Sequence, residues 1–278
     1  MNNIKSIILA LLIAVISLSK ISAQTADKTN YVIILDLSDR ILSPNQVKLD
    51  KAGIFEIFLK FERDVRNQLI IKSNAKLSIQ VLPQKNSPLN TFYYNEALSI
   101  DMSQYSIADK RVALDNYKKQ LVPLLNKLYR EAKFSNKKSD YNGVDIWKYF
   151  NESLSYSLFD NYQNTVVVIT DGYFDFEANS YVKRLGNRYT STRFLRNLKV
   201  NNWKVLAEQK DYGLLKVQNK FPKAKVVVLG VNPKSQSLDE QERIHYFWHK
   251  WVGEMNMSIA IINRSTSLQI KQQIKSVL

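Results

Sequence analysis

The chain of 278 residues contains no cysteine. Disulfides, thiol nucleophiles and lipid attachment at a thiol are therefore excluded, and stability must come from a packed core. Glycine is scarce, with seven in all, and none sits in a G-x-x-x-x-G-K loop that would cradle a phosphate. No G-x-S-x-G nucleophile turn is present either. There are only two histidines, His245 and His249. Acidic residues are few relative to basic ones, 25 against 40, a formal net charge of +15. Beyond the N-terminal segment no apolar run approaches the roughly 20 residues that a membrane span requires.

The N-terminal segment has its own pattern. Lys5 precedes the apolar stretch SIILALLIAVISLS, and KISAQ follows. A basic start, a short apolar core and a small-residue exit read as a secretory signal over residues 1–23, with cleavage after Ala23 and a mature start at Gln24. The alternative is an uncleaved anchor, which Lys20 beside the exit keeps open. The signal reading places the protein outside the cytoplasm, periplasmic or secreted. Residues 24–278 are then expected to form a single α/β domain. The basic balance suggests anionic partners, such as a glycan, lipid headgroups, nucleic acid or an acidic protein surface. A general bias of composition toward Lys and Asn would also produce it.

Apolar runs at Tyr31–Leu35, Asn164–Gly172 and Lys223–Pro233 read as strands buried on both faces. Ala75–Pro83 and Met257–Asn263 add two more strands, and Phe92–Ile100 a weaker edge strand. Helical periodicity marks Pro44–Leu69, Val112–Ala132, Asp145–Phe159 and Ser237–Val252. Ser43-Pro44 reads as an N-cap followed by an N1 proline. Pro123 is expected to kink or break its helix. Ser237 with Glu240, and Thr266 with Gln269, read as capping boxes, the second opening a C-terminal helix. Strands alternating with helices imply a doubly wound, mainly parallel, Rossmann-like sheet with helices on both faces. The stretch of about 173–219 breaks this rhythm. It is polar and basic, with a hairpin turn expected at Gly186-Asn187, and reads as an insertion on the edge or face of the sheet.

Two of the buried strands stop on a carboxylate, Asp36 in LDLSDR and Asp171 in TDG. The crevice of an open α/β sheet lies at the carboxyl ends of its strands. Two ionised carboxylates brought together there repel, so a cation or a group of donors should lie between them. The pair resembles the von Willebrand factor A-type domain, and the order of elements from Tyr31 to Leu278 is similar as well. In that family D-x-S-x-S at the first strand, a threonine from a helix start and a later TDG hold one Mg²⁺ or Mn²⁺, whose shell a partner's acid completes. The resemblance implies a vWA-like fold and Asp36, Ser38 and Asp171 as metal ligands.

The motif departs from the family at Arg40, which stands where the second serine would be and cannot ligate a metal. The threonine loop is best matched by Gly143–Trp147, with Val144 at the hydroxyl position and Asp145 beside it. Ser139, Asp140 or Asn142 would serve if the loop is shifted. Two arrangements stay open. Arg40 takes the cation's place as an internal ion pair, or it points outward while Asp39, Asp140 or Asp145 completes the shell. The cofactor is accordingly none, or Mg²⁺/Mn²⁺.

From Ala178 to Ala207 no acid occurs, while Lys183, Arg184, Arg188, Arg193, Arg196, Lys199 and Lys204 do, interleaved with Tyr181, Tyr189, Phe194 and Trp203. Such a segment suits a polyanion, or it is a solvated hairpin. Lys183, Arg184, Arg188, Arg193 and Arg196 of this segment, with Arg40, are the expected partner-binding residues. His245 and His249 share a helical face but lack a third ligand, so packing is the favoured role for their helix. The expected function is that of an exported binding module for a protein or anionic polymer, with weakened or lost metal dependence at a degenerate adhesion site. The alternatives are a Mg²⁺-dependent phosphodiesterase or nuclease using the strand-end carboxylates, and a structural component of an envelope assembly.

Overall fold

The computed structural model describes residues 28–176, 182–235 and 238–278. The expected signal segment 1–23 with Gln24, Ala178 and Tyr181 of the insertion, and Ser237 of the first capping box lie outside the described residues. The main sheet contains β1 (Lys28–Leu35), β2 (Lys76–Val81), β3 (Ser99–Asp101), β4 (Tyr162–Ile169), β8 (Ala224–Val231) and β9 (Ser258–Asn263). Their order is β3-β2-β1-β4-β8-β9, and all neighbours are parallel except β2 and β3. The fold is therefore α/β and Rossmann-like. The order runs one way from β1 through β2 and β3, and the other way from β4 onward. The switch point of the topology falls between β1 and β4, where ligand crevices of such sheets lie.

Alternation along the central strands builds two cores. Tyr31, Ile33 and Leu35 of β1, Val167 and Ile169 of β4, and Val227 and Leu229 of β8 face one side. They meet α1 (Gln46–Asn67), α3 (Lys110–Ala132) and α7 (Ser267–Val277). Val32, Ile34, Val166, Val168, Val226 and Val228 face the other side. They meet α4 (Ile146–Glu152) and α6 (Leu238–Glu254) together with the insertion. Two apolar faces explain why these strands are nearly continuous Val, Ile and Leu.

The insertion lies over a face of the sheet rather than along its edge. Its small sheet joins β5 (Arg184–Leu185), β6 (Arg188–Tyr189) and β7 (Gly213–Leu214), and α5 (Trp203–Gln209) completes it. Gly186-Asn187 makes the hairpin turn between β5 and β6. Phe194, Leu195, Leu198 and Trp203 are buried in the second core, with Phe194 edge-on to Phe247 of α6 at 4.8 Å. The polar composition of this segment concealed an apolar underside.

Other local expectations need correction. The helix expected from Pro44 begins at Gln46, because Ser43 instead closes a 3₁₀ turn over Asp39–Leu42 and Asn45, at φ 61°, is the N-cap. Residues 92–97 belong to a helix, α2 (Thr91–Ala97), so only Ser99–Asp101 is left as the edge strand. The helix expected over 145–159 ends at Glu152 and passes into a 3₁₀ turn, Leu154–Ser157. Pro123 lies inside an uninterrupted α3. The Thr266–Gln269 capping box forms as expected. Among the described residues no helix is long and apolar enough to cross a membrane.

Candidate functional site

The register of β1 and β4 pairs Leu35 with Ile169, and the Asp36 amide donates to the Ile169 carbonyl at 3.0 Å. One residue further on, the two chains part. Asp36 and Asp171 therefore emerge side by side at the switch point. The Asp36 carboxylate is buried, with the residue 4 % exposed. Its Oδ1 accepts from the Ser38 amide at 3.0 Å, and its Oδ2 accepts from Thr170 Oγ1 at 2.9 Å. Asp171 Oδ1 accepts from the Tyr173 amide at 3.2 Å.

These two carboxylates are electrostatically coupled. Burial, and then the charge of Asp36, push Asp171 up to about 7. Burial also raises Asp36, against the opposing charge of Arg40 and the donors Ser38 and Thr170. Burial and the neighbouring charge thus both disfavour ionisation of Asp171 beside Asp36.

Arg40 follows neither arrangement left open by the sequence. It points inward and is 5 % exposed, but its head does not bridge Asp36 and Asp171. Nη1 and Nη2 bind Asp50 of α1 in a fork, each at 2.9 Å, and Nη1 donates to the Asp36 backbone carbonyl at 3.1 Å. Gln46 Nε2 and the Tyr129 hydroxyl also donate to Asp50, at 2.9 and 3.0 Å. The guanidinium thus lies behind the strand ends and acts on the carboxylate pair only through its field. Gly230, at φ +98°, leaves it room: a Cβ there would lie 3.4 Å from Arg40 Nη2 and 3.2 Å from the Thr170 carbonyl. As a buried cation held by Asp50, Arg40 is removed from the partner-facing set.

The expected auxiliary ligands take other roles. The Asp145 side chain caps α4 by accepting from the Lys148 amide at 2.8 Å, and Val144 is buried in the core. Asp140 is exposed and bound to Ser135. Asp39 and Asp140 both act on Tyr141, whose phenol is raised first by burial and then by Asp140. Among the described residues no three His, Cys, Asp or Glu side chains are grouped to hold a metal. Asp36, Asp171 and the half-buried Ser38 hydroxyl remain as an all-oxygen donor set. Two adjacent carboxylates, only partly offset by the field of Arg40, fit a hard divalent ion that keeps several waters, and lack the further anionic ligand that tight binding needs.

The cations of the insertion divide. Lys183 and Arg184 are exposed, and Arg184 lies over the Tyr189 ring at 5.3 Å. Arg188 is internal. All five of its donors are engaged, by Asp211, Glu254 and the Leu214 carbonyl. It fastens the insertion to α6 and has no donor left for a partner. Arg193 and Arg196 lie on a 3₁₀ turn, Thr192–Leu198, at the rim of a cleft beside the strand ends.

His245 Nε2 meets Asn263 Oδ1 of β9 at 2.8 Å, and His249 is held below its ordinary value by burial and by His245. The same helix fixes the TDG turn, because Trp248 Nε1 donates to the Gly172 carbonyl at 3.0 Å.

The sequence reading missed Asp50, yet a signal was there. Asp50 lies four and seven residues before Ile54 and Ile57, on the buried stripe of α1. An acid on such a stripe requires a buried partner. Comparison of the chain with protein-family models, with curated proteins and with solved structures gives no match.

Proposed function

We propose that this protein is an exported, vWA-like binding module that docks a protein or an anionic polymer through its strand-end face, with weakened dependence on Mg²⁺ or Mn²⁺. The observation that carries this reading is the coupled pair Asp36 and Asp171 at the switch point, with Arg40 held away from it by Asp50. A divalent ion at the pair would be held by Asp36, Ser38 and Asp171, and it would offer a partner's acid an open coordination position. Arg40 behind the pair and the missing third anion both weaken such an ion. The cationic rim of the insertion beside the pair suits an anionic partner.

The test is calorimetry of the chain with Mn²⁺, together with binding to an immobilised sulfated polysaccharide in Mn²⁺ or in chelator. Weak saturable Mn²⁺ binding that Asp171→Asn removes supports the reading. Tight binding unaffected by that variant, or retention on the polymer that does not respond to salt, contradicts it. A second reading, Mg²⁺-dependent phosphodiester cleavage, is favoured by the value of about 7 at Asp171, which suits a general base. Mg²⁺-dependent degradation of a nucleic acid that Asp171→Asn abolishes would select it.

A further inference from the structure

Beside the carboxylate pair, the insertion and the start of α6 enclose a cleft of about 250 Å³. Five cations line it, Arg193, Arg196, Lys199, Lys234 and Arg243, against two acids, Asp175 and Glu240. Both acids are already engaged. Asp175 accepts from Ser191 and Thr192 at 3.2 and 3.1 Å and pairs with Lys234 at 3.2 Å. Glu240 accepts from the Tyr173 hydroxyl at 2.6 Å, from the Ser235 amide at 2.9 Å and from the Ser235 hydroxyl.

Arg243 differs from the other four. It is only 7 % exposed, and its Nε is buried without a hydrogen-bond partner. Glu240 is near enough to feel its charge, but three other donors share the Glu240 oxygens and the Arg243 Nε bonds to neither. A guanidinium buried with an unused donor is costly, and a ligand that accepts from it repays the cost. The planar donor fork of arginine matches the oxygens of phosphate and sulfate. Arg196 and Lys199 are exposed at the mouth, where they would attract such a group.

We propose that this cleft is a site for a phosphate or sulfate monoester carried on a sugar-sized body, with Arg243 at its floor and Arg196 and Lys199 at its mouth. The proposal deepens the reading of the strand-end face as a binding surface. It takes from that reading only the idea that the face binds anions, and it does not require a metal at Asp36 and Asp171.

The experiment is calorimetry and thermal melting of the chain with inorganic phosphate, inorganic sulfate and glucose 6-phosphate, with glucose as the neutral control. Saturable binding of the anions and none of glucose is expected. Arg243→Gln should weaken binding about tenfold or more, the loss expected for a charge-assisted fork. Lys199→Glu, an exposed change safe for folding, should weaken it several-fold, and Arg184→Ala, outside the cleft, should leave it unchanged. Without anion, Arg243→Gln should melt close to the parent, since the Nε it removes makes no hydrogen bond. Tighter binding of glucose 6-phosphate than of either inorganic ion supports the sugar-sized body, and equal binding removes that part. Asp171→Asn should leave anion binding intact, so failure of the metal reading and failure of this one are distinguishable. No saturable anion binding up to about 10 mM, too weak for a built site, overturns the proposal. So does binding indifferent to both Arg243→Gln and Lys199→Glu.

Discussion

Arg40 and Asp50 form a forked ion pair, two bonds of 2.9 Å between side chains that are 4 % and 2 % exposed. This pair ties the turn after β1 to the first turns of α1, directly behind the strand-end carboxylates. Removing one member strands a buried charge, which costs about 3–5 kcal/mol. Asp50→Ala is expected to lose that much in urea unfolding, whereas a paired apolar replacement, Arg40→Met with Asp50→Leu, should recover most of it. A loss below about 1 kcal/mol for Asp50→Ala would mean that the pair is solvated.

The raised value of Asp171 predicts a pH dependence of stability. Its ordinary value is 3.8 and its folded value about 7. Between these the folded state holds a proton that the unfolded state has released, so this group makes stability fall as pH rises through that window. Above about 7 both states are ionised, and the penalty is complete and constant. Asp171 is partly exposed, so water screens part of the effect. The slope should stay under the one-proton limit of about 1.4 kcal/mol per pH unit. Asp171→Asn should flatten the curve and raise stability at neutral pH. If the difference between parent and Asp171→Asn does not change with pH across the window, Asp171 is not raised in the folded protein.

Protons and a divalent ion compete for the same oxygens. Mn²⁺ binding is therefore expected to strengthen as pH rises toward and past about 7, with proton release on binding. Calorimetry in buffers of different ionisation enthalpy measures that release. Binding that is independent of pH would place the ion elsewhere.

Two glycines with positive φ should respond differently to alanine. Gly143 has φ +71°, and a Cβ on it would lie 2.2 Å from the Asp175 carbonyl. Gly186 has φ +59° with open space around it. Gly186→Ala should cost about 1 kcal/mol, the strain alone. Gly143→Ala should cost clearly more, because the loop carrying Asp175 must move. Comparable melting temperatures for the two variants would contradict the close approach.

Arg188 should behave as a structural cation. Its removal leaves Glu254 and Asp211 without their common partner and is expected to cost about 2 kcal/mol. Limited proteolysis should then cut the insertion sooner. Lys183→Ala and Arg184→Ala, both exposed, should stay within about 0.5 kcal/mol of the parent.

How far the sequence can be read is clear from these residues. The strands at 31–35, 164–172 and 223–233 were legible because apolar runs bounded by turn residues have few other solutions. So was the position of Asp36 and Asp171, since a carboxylate ending a buried strand has to emerge at its carboxyl end. Residues 92–97 were misread, because a short segment of Phe and Tyr suits helix or strand equally and its neighbours decide. Arg188 was misgrouped with the exposed cations because charge alone does not say which arginine lies over Asp211 and Glu254.

The sequence by itself determined the α/β class, the two-sided burial of the central strands and the pairing of acids at their ends. These depend on local periodicity and on the chain's own order. Only the tertiary structure decided where Arg40 goes, because its partner Asp50 lies on the next helix and the contest between Asp50 and the strand-end acids is settled by the geometry of packing. The same holds for Arg243, which shares a cleft with Arg196 and Lys199 of the insertion, far from it in the chain. Burial and charge pairing between segments distant in the chain are properties of the assembled fold, which no local pattern records.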